Sequence, residues 1–128
     1  MKFELEFAFW ITVGGGAGSL IRYIVICACS KLPAPGIPLA TLVANIAGCL
    51  AIGFLGSKLL GDDPATLRLR AGLLVGVLGG FTTFSTFAFE SHRLFENGNW
   101  QYGLVNIFAH NGLGLLLVAA GSAVAKHL

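Results

Sequence analysis

Four long, predominantly apolar runs separated by short polar connectors dominate this chain of 128 residues, at about 7–30, 39–60, 69–95 and 100–125. At 1.5 Å of rise per residue, about 20 apolar residues cross a hydrocarbon core of roughly 30 Å. Each run is long enough to do so. The expected fold is an all-α integral membrane protein: one domain of four transmembrane helices in a lipid bilayer. Composition agrees, with 55% hydrophobic residues, 11% charged residues and a mean hydropathy of +0.81. Soluble domains carry roughly 25% charged residues. A very hydrophobic soluble domain is the competing reading, and the four recurring runs argue against it.

The formal charge of +2 says little about partners, and no basic cluster is dense enough to imply nucleic acid. Cys27, Cys29 and Cys49 all fall in apolar stretches. Their odd number argues against a disulfide framework, and small apolar filler is the simpler role. The first run is not read as a signal peptide. Lys2 is followed by Glu4 and Glu6, and no short apolar core with a cleavage site follows.

The unusual stretch is Gly79-Gly80-Phe81-Thr82-Thr83-Phe84-Ser85-Thr86-Phe87, inside the third run. A glycine pair, four hydroxyls and three phenyl rings stand where a membrane helix usually carries plain hydrocarbon. Glycines let the backbone approach another chain closely or leave helical geometry. Non-helical backbone at membrane depth survives only where protein or a water-filled cavity satisfies its polar groups. A third helix broken in mid-membrane, beside an ion site or pore, is the expectation. Phe84 and Phe87 would share a face if the helix resumes, and the positive edge of a phenyl ring favours an anion. Thr82, Thr83, Ser85 and Thr86 would offer donors to an ion shedding water. The ordinary alternative is that the rings are core and the hydroxyls bond their own helix. Clustering, rather than any one residue, favours the pore.

Polar residues elsewhere divide in the same way. Arg22 lies within the first run and either snorkels to the headgroups or draws an anion into a vestibule. Asn45 in the second run is either glue between helices or an amide facing an ion path, with Thr41 on the same face. Glu90 is a candidate pore residue, although a carboxylate repels an anion. His92 and Arg93 read as a solvated helix end with a local ion pair. Asn106 and His110 make a polar face on the fourth run, as glue or as hydrogen-bonding groups toward an aqueous path. Trp100 and Tyr102 read as interfacial anchors.

Gly72, Gly76 and Gly80 repeat every fourth residue and predict a close helix contact, with a second copy of the chain as one candidate partner. Asp62, Asp63 and Pro64 read as part of a polar loop, with the third helix starting near Leu69. Four spans put both termini on one side, where Lys2, Lys58, Arg68, Arg70 and Lys126 face only Arg22, Lys31 and Arg93 opposite. So small a bias orients the chain weakly and would allow insertion both ways round.

The Gly79–Phe87 run, with Arg22 in the first helix and Asn45 in the second, resembles the Fluc (CrcB) fluoride channel family across essentially the whole chain. The resemblance implies an antiparallel, dual-topology homodimer in the bacterial inner membrane. It implies passive, selective fluoride efflux that relieves fluoride toxicity. By the same resemblance Phe84 and Phe87 are paired pore phenylalanines, with Asn45 beside them. Thr41, Ser85 and Glu90 match a polar track, and Arg22 matches a vestibule residue. Gly79 and Thr82 match positions whose carbonyls hold a structural sodium ion at the dimer centre. Thr86, Asn106 and His110 complete the candidate path. His110 and Gly114 depart from the pattern, since hydroxyl residues stand there in some members.

Three other classes compete with this reading. A small multidrug-type transporter would need a buried acid in the first helix, and there is none between Phe7 and Ser30. A structural membrane subunit would explain the glycines but leave the hydroxyl and phenyl cluster idle. No nucleophile and base pair or metal constellation suggests an enzyme.

Overall fold

The computed structural model describes residues 4–33 and 36–128. Lys2 of the orientation count, and Ala34 and Pro35 of the first connector, lie outside the described residues. The described chain is helical, and four of its helical stretches are long and apolar enough to span a membrane. These are α1 (Leu5–Cys29), α2 (Leu39–Lys58), a composite third span (Pro64–Glu96) and α6 (Trp100–His127). Large apolar side chains point outward along them, among them Leu20, Ile24, Phe89, Phe108 and Leu115. That is the surface expected of helices solvated by lipid, and the chain is a multi-pass membrane protein.

The third span starts five residues before the expected Leu69. Asp63 caps it: its Oδ1 accepts from the N–H groups of Ala65 and Thr66 at 3.1 and 3.0 Å, and Pro64 occupies the first turn. Side-chain acceptors at this position satisfy helix N–H groups that have no partner of their own. The Thr66 hydroxyl donates to the other carboxylate oxygen, and these bonds hold the Asp63 carboxyl below the usual carboxylate range.

Beyond the cap the span is built in pieces. Helix α3 (Pro64–Leu69) passes into a π-helical stretch, Arg70–Leu78, and then into one turn of α-helix, α4 (Gly79–Phe81). Thr82 and Thr83 are extended, with φ, ψ of −84°, 157° and −152°, 106°, and α5 (Phe84–Glu96) resumes beyond them. The expected mid-span break is therefore at Thr82–Thr83.

The break is also where the third span changes partner. Before it, the π stretch and α4 pack on α1; after it, α5 packs on α6 and α2. Helix α2 packs mainly on α6. The contact with α1 is backbone to backbone. A methyl group built on Gly14 would overlap the Gly72 carbonyl oxygen, one on Gly18 the Val77 carbonyl, and one on Gly80 the Gly15 carbonyl. The Gly72, Gly76 and Gly80 stripe is thus used within the chain, against its own first helix. Sequence spacing measures how small a helix face is, and says nothing of which helix fills it.

Candidate functional site

The break leaves backbone groups to be satisfied at membrane depth, and Asn45 takes two of them. Its Oδ1 accepts from the Thr83 N–H at 2.7 Å and its Nδ2 donates to the Thr83 carbonyl at 3.1 Å. The Thr83 hydroxyl then caps α5, accepting from the Thr86 N–H at 3.3 Å and lying 2.9 Å from the Thr86 hydroxyl and 3.4 Å from that of Ser85. Thr82 bonds back to the Leu78 carbonyl at 2.8 Å, as helix hydroxyls commonly do. Asn45 is thus interhelical glue at a place where the glue holds a helix open.

Two cavities flank this clamp. One, of about 350 Å³, is lined by Phe84 and Phe87, together with Asn45, Gly79, Thr82 and His110. The two phenyl rings meet at 5.4 Å between centroids, tilted by 59°. They differ in setting: Phe87 is 7% exposed, while Phe84 is 77% exposed and faces out of the chain. His110 stacks on the inner ring, 4.3 Å from Phe87 and tilted by 34°. The second cavity, of about 360 Å³, brings Arg22 together with Thr41, Thr83 and Thr86. Arg22 makes no salt bridge among the described residues. Arg22 gives this cavity a basic lining residue alongside the three threonines.

Hydroxyls and amides extend the polar lining toward the ends of α2 and α5. The Thr41 hydroxyl donates to Glu90 Oε1 at 2.8 Å, and Glu90 also borders a cleft with Arg93 and Asn97. Asn106 is fully buried and donates from Nδ2 to the Ser91 hydroxyl at 2.9 Å; Ser91 donates to the Phe87 carbonyl at 2.8 Å. His110 Nδ1 lies 2.9 Å from the Asn106 carbonyl. Glu90 Oε2, Asn106 Oδ1 and His110 Nε2 are buried with no hydrogen-bond partner among the described residues. Buried polar groups are ordinarily bonded, so these three mark a place for a proton, water or a passing ion.

The sequence-predicted residues therefore fall into groups. Phe84, Phe87, Asn45 and His110 share one cavity; Arg22, Thr41 and Thr86 share the other. Glu90 reaches the second group through Thr41, and Asn106 reaches Phe87 through Ser91. Ser85 is exposed and touches the set only through Thr83. Sequence reasoning missed Ser91 and the capping role of Thr83. A threonine three residues before another, just past a glycine pair, was the available signal for the cap. Nothing local marked Ser91.

The backbone at the break also suits a hard cation. In an unbroken helix the Thr83 N–H would bond the Gly79 carbonyl; here it goes to Asn45, which releases that carbonyl. The Thr82 carbonyl belongs to an extended residue. Gly79 faces open space, since a methyl built there meets nothing within 4 Å. Carbonyl oxygens of this kind are ligands for hard ions such as sodium.

The family model described as "CrcB-like protein, Camphor Resistance (CrcB)" matches residues 9–122. The chain is 39% identical over 121 residues to the fluoride-specific ion channel FluC of Rhizobium etli (strain CIAT 652), covering 94% of this chain and 97% of that protein. It is 40% identical over 116 residues to the protein of the same name from Ruminiclostridium cellulolyticum, covering 91% and 89%. A third of that name, from Clostridium perfringens, is 34% identical over 125 residues and 98% of both chains. With a family match that runs from the first helix to the last, and relatives aligned along nearly their whole length, this chain belongs to the CrcB-like family.

Proposed function

We propose that this chain is a fluoride-specific ion channel that lets fluoride leave the cell passively and so limits its toxicity. The observation that carries the reading is the Phe84 and Phe87 pair lining a cavity at the helix break. Ring edges attract an anion without a permanent countercharge that would hold it there. The names of the relatives point to the same ion. Arg22 concentrates anions in the neighbouring cavity, and the hydroxyls of Thr41, Thr83, Ser85 and Thr86 replace part of the lost hydration. Glu90, bonded to Thr41, orders that hydroxyl. Flux follows the electrochemical gradient, and no covalent chemistry is involved.

The working unit in this reading is an antiparallel dimer of two copies in the inner membrane. Phe84 at 77% exposure and the open face of Gly79 are the surfaces a second copy would cover. The weak charge bias between the two ends allows insertion both ways round. The carbonyls of Gly79 and Thr82 from both copies would hold a structural sodium ion, which supplies a fixed positive charge joining the two breaks.

The test is efflux from liposomes carrying the purified protein, read by a fluoride electrode beside a chloride trace. Fast fluoride release with chloride retained is expected. No fluoride release from a verified dimer in sodium buffer would overturn the reading.

A further inference from the structure

Among the described residues, His110 is the one titratable side chain stacked on Phe87, and its setting makes it more than a wall. We propose that His110 controls anion passage by protonation: its ring, neutral or charged, decides whether the Phe87 cavity carries a positive charge. This rests on the channel reading above.

The argument starts from the tautomer. A carbonyl oxygen only accepts, so Nδ1, 2.9 Å from the Asn106 carbonyl, must carry the proton of the neutral ring. Nε2 is then a bare lone pair, buried and without a partner. A neutral His110 therefore offers an anion no donor and no charge. Protonation puts a hydrogen on Nε2 and turns it from an acceptor into a donor. The charge spreads over a ring that lines the same cavity as Phe84 and lies 4.3 Å from Phe87. Histidine is the side chain whose charge changes near neutral pH.

The surroundings restrict which other group could give the same behaviour. From α5, Glu90 is the acid on the Thr41 side. From α2, Cys49 lines the cavity, and an ordinary thiol titrates at about 8.5. The lining residues of the third span up to and within the break are Leu74, Leu78, Gly79 and Thr82, none of them titratable. On α6, Asn106 and Asn111 are uncharged. Arg22 belongs to the other cavity.

The experiment is liposome fluoride efflux between about pH 8 and about pH 5.5, spanning an ordinary histidine pKa of about 6.5, with the leak of protein-free vesicles subtracted at each pH. The wild-type rate is expected to rise several-fold as pH falls. His110→Gln removes the titration, and His110→Phe keeps an aromatic ring against Phe87; both are expected to give profiles flat in pH, whatever their absolute rate. Glu90→Gln is expected to keep a rising profile, whatever its absolute rate. Robust wild-type flux with a flat profile overturns the proposal and leaves the channel reading standing. So does a rise that persists in a folded His110 variant, or one that vanishes in Glu90→Gln. Absence of fluoride flux from the wild type at every pH overturns the channel reading and this proposal with it.

Discussion

Asn45 on the second span replaces, with its side-chain amide, the helical hydrogen bonds that Thr83 gives up on the third. One bond of 2.7 Å and one of 3.1 Å close the backbone of a residue that stands between two helices in the membrane interior. The opening in the third span is therefore held by a contact between helices. Of the cavities on either side of it, one has Asn45 in its wall and the other Thr83.

Asn45→Ala should leave two buried backbone groups of Thr83 unpaired, each costing about 1–3 kcal/mol. A clear drop in the thermal midpoint of the purified protein in detergent, together with lost fluoride flux, is expected. Asn45→Asp keeps the acceptor for the Thr83 N–H but loses the donor and brings a negative charge to an anion path. Its flux should fall more than its stability does, and equal losses would argue that Asn45 is only a fastener.

Phe87→Ile removes a buried ring that touches both Phe84 and His110 while keeping apolar bulk. Volume-conserving apolar exchanges usually cost less than about 1.5 kcal/mol. Size-exclusion behaviour should be preserved while fluoride efflux is impaired. Normal flux in this variant would remove the ring from the conduction path.

Gly14→Ala pushes a methyl into the Gly72 carbonyl, whereas Gly16→Ala meets nothing within 4 Å. Overpacking of a tight contact costs about 1–3 kcal/mol, while a helical glycine changed to alanine in open space gains up to about 1 kcal/mol. Thermal melts of the two variants in detergent should move in opposite directions. Similar shifts would mean that α1 does not seat on the third span through its glycines.

The Asp63 cap gives a pH-dependent contribution of known sign. Its carboxyl is held below the ordinary range, chiefly by the Thr66 hydroxyl and N–H. The ionised form is thus favoured in the folded state. The stabilisation is present above the ordinary carboxylate pKa and is lost as pH falls through the lowered one. The midpoint difference between wild type and Asp63→Ala should shrink on acidification below about pH 4. A constant difference would show that the cap does not depend on the charge.

Sodium replacement tests the cation proposed at the break. Exchange of sodium for a large organic cation should loosen the proposed dimer or slow fluoride flux, with sodium restoring both. Unchanged assembly and flux after exhaustive exchange would remove sodium from the design.

The sequence by itself determined the four membrane-crossing helices and the place where the third one fails. Long apolar runs have few ways to bury their backbone in lipid, and Gly79–Phe87 carries the chemistry of a break. It also supplied the set of polar candidates, because polar residues are rare enough in such runs to stand out. What only the tertiary structure decided was pairing. The glycine stripe reads equally well as a contact with a sister chain or with α1, since smallness is a property of one surface. Asn45 reads equally well as glue or lining until Thr83 is seen between its two amide atoms. Phe84 and Phe87, identical in type and three residues apart, are separated by the neighbours each meets: α6 covers Phe87 with His110, and Phe84 is left facing outward. Partners far apart in the chain have no local signal, because the energy that selects them is packing and hydrogen bonding between helices rather than preference within one.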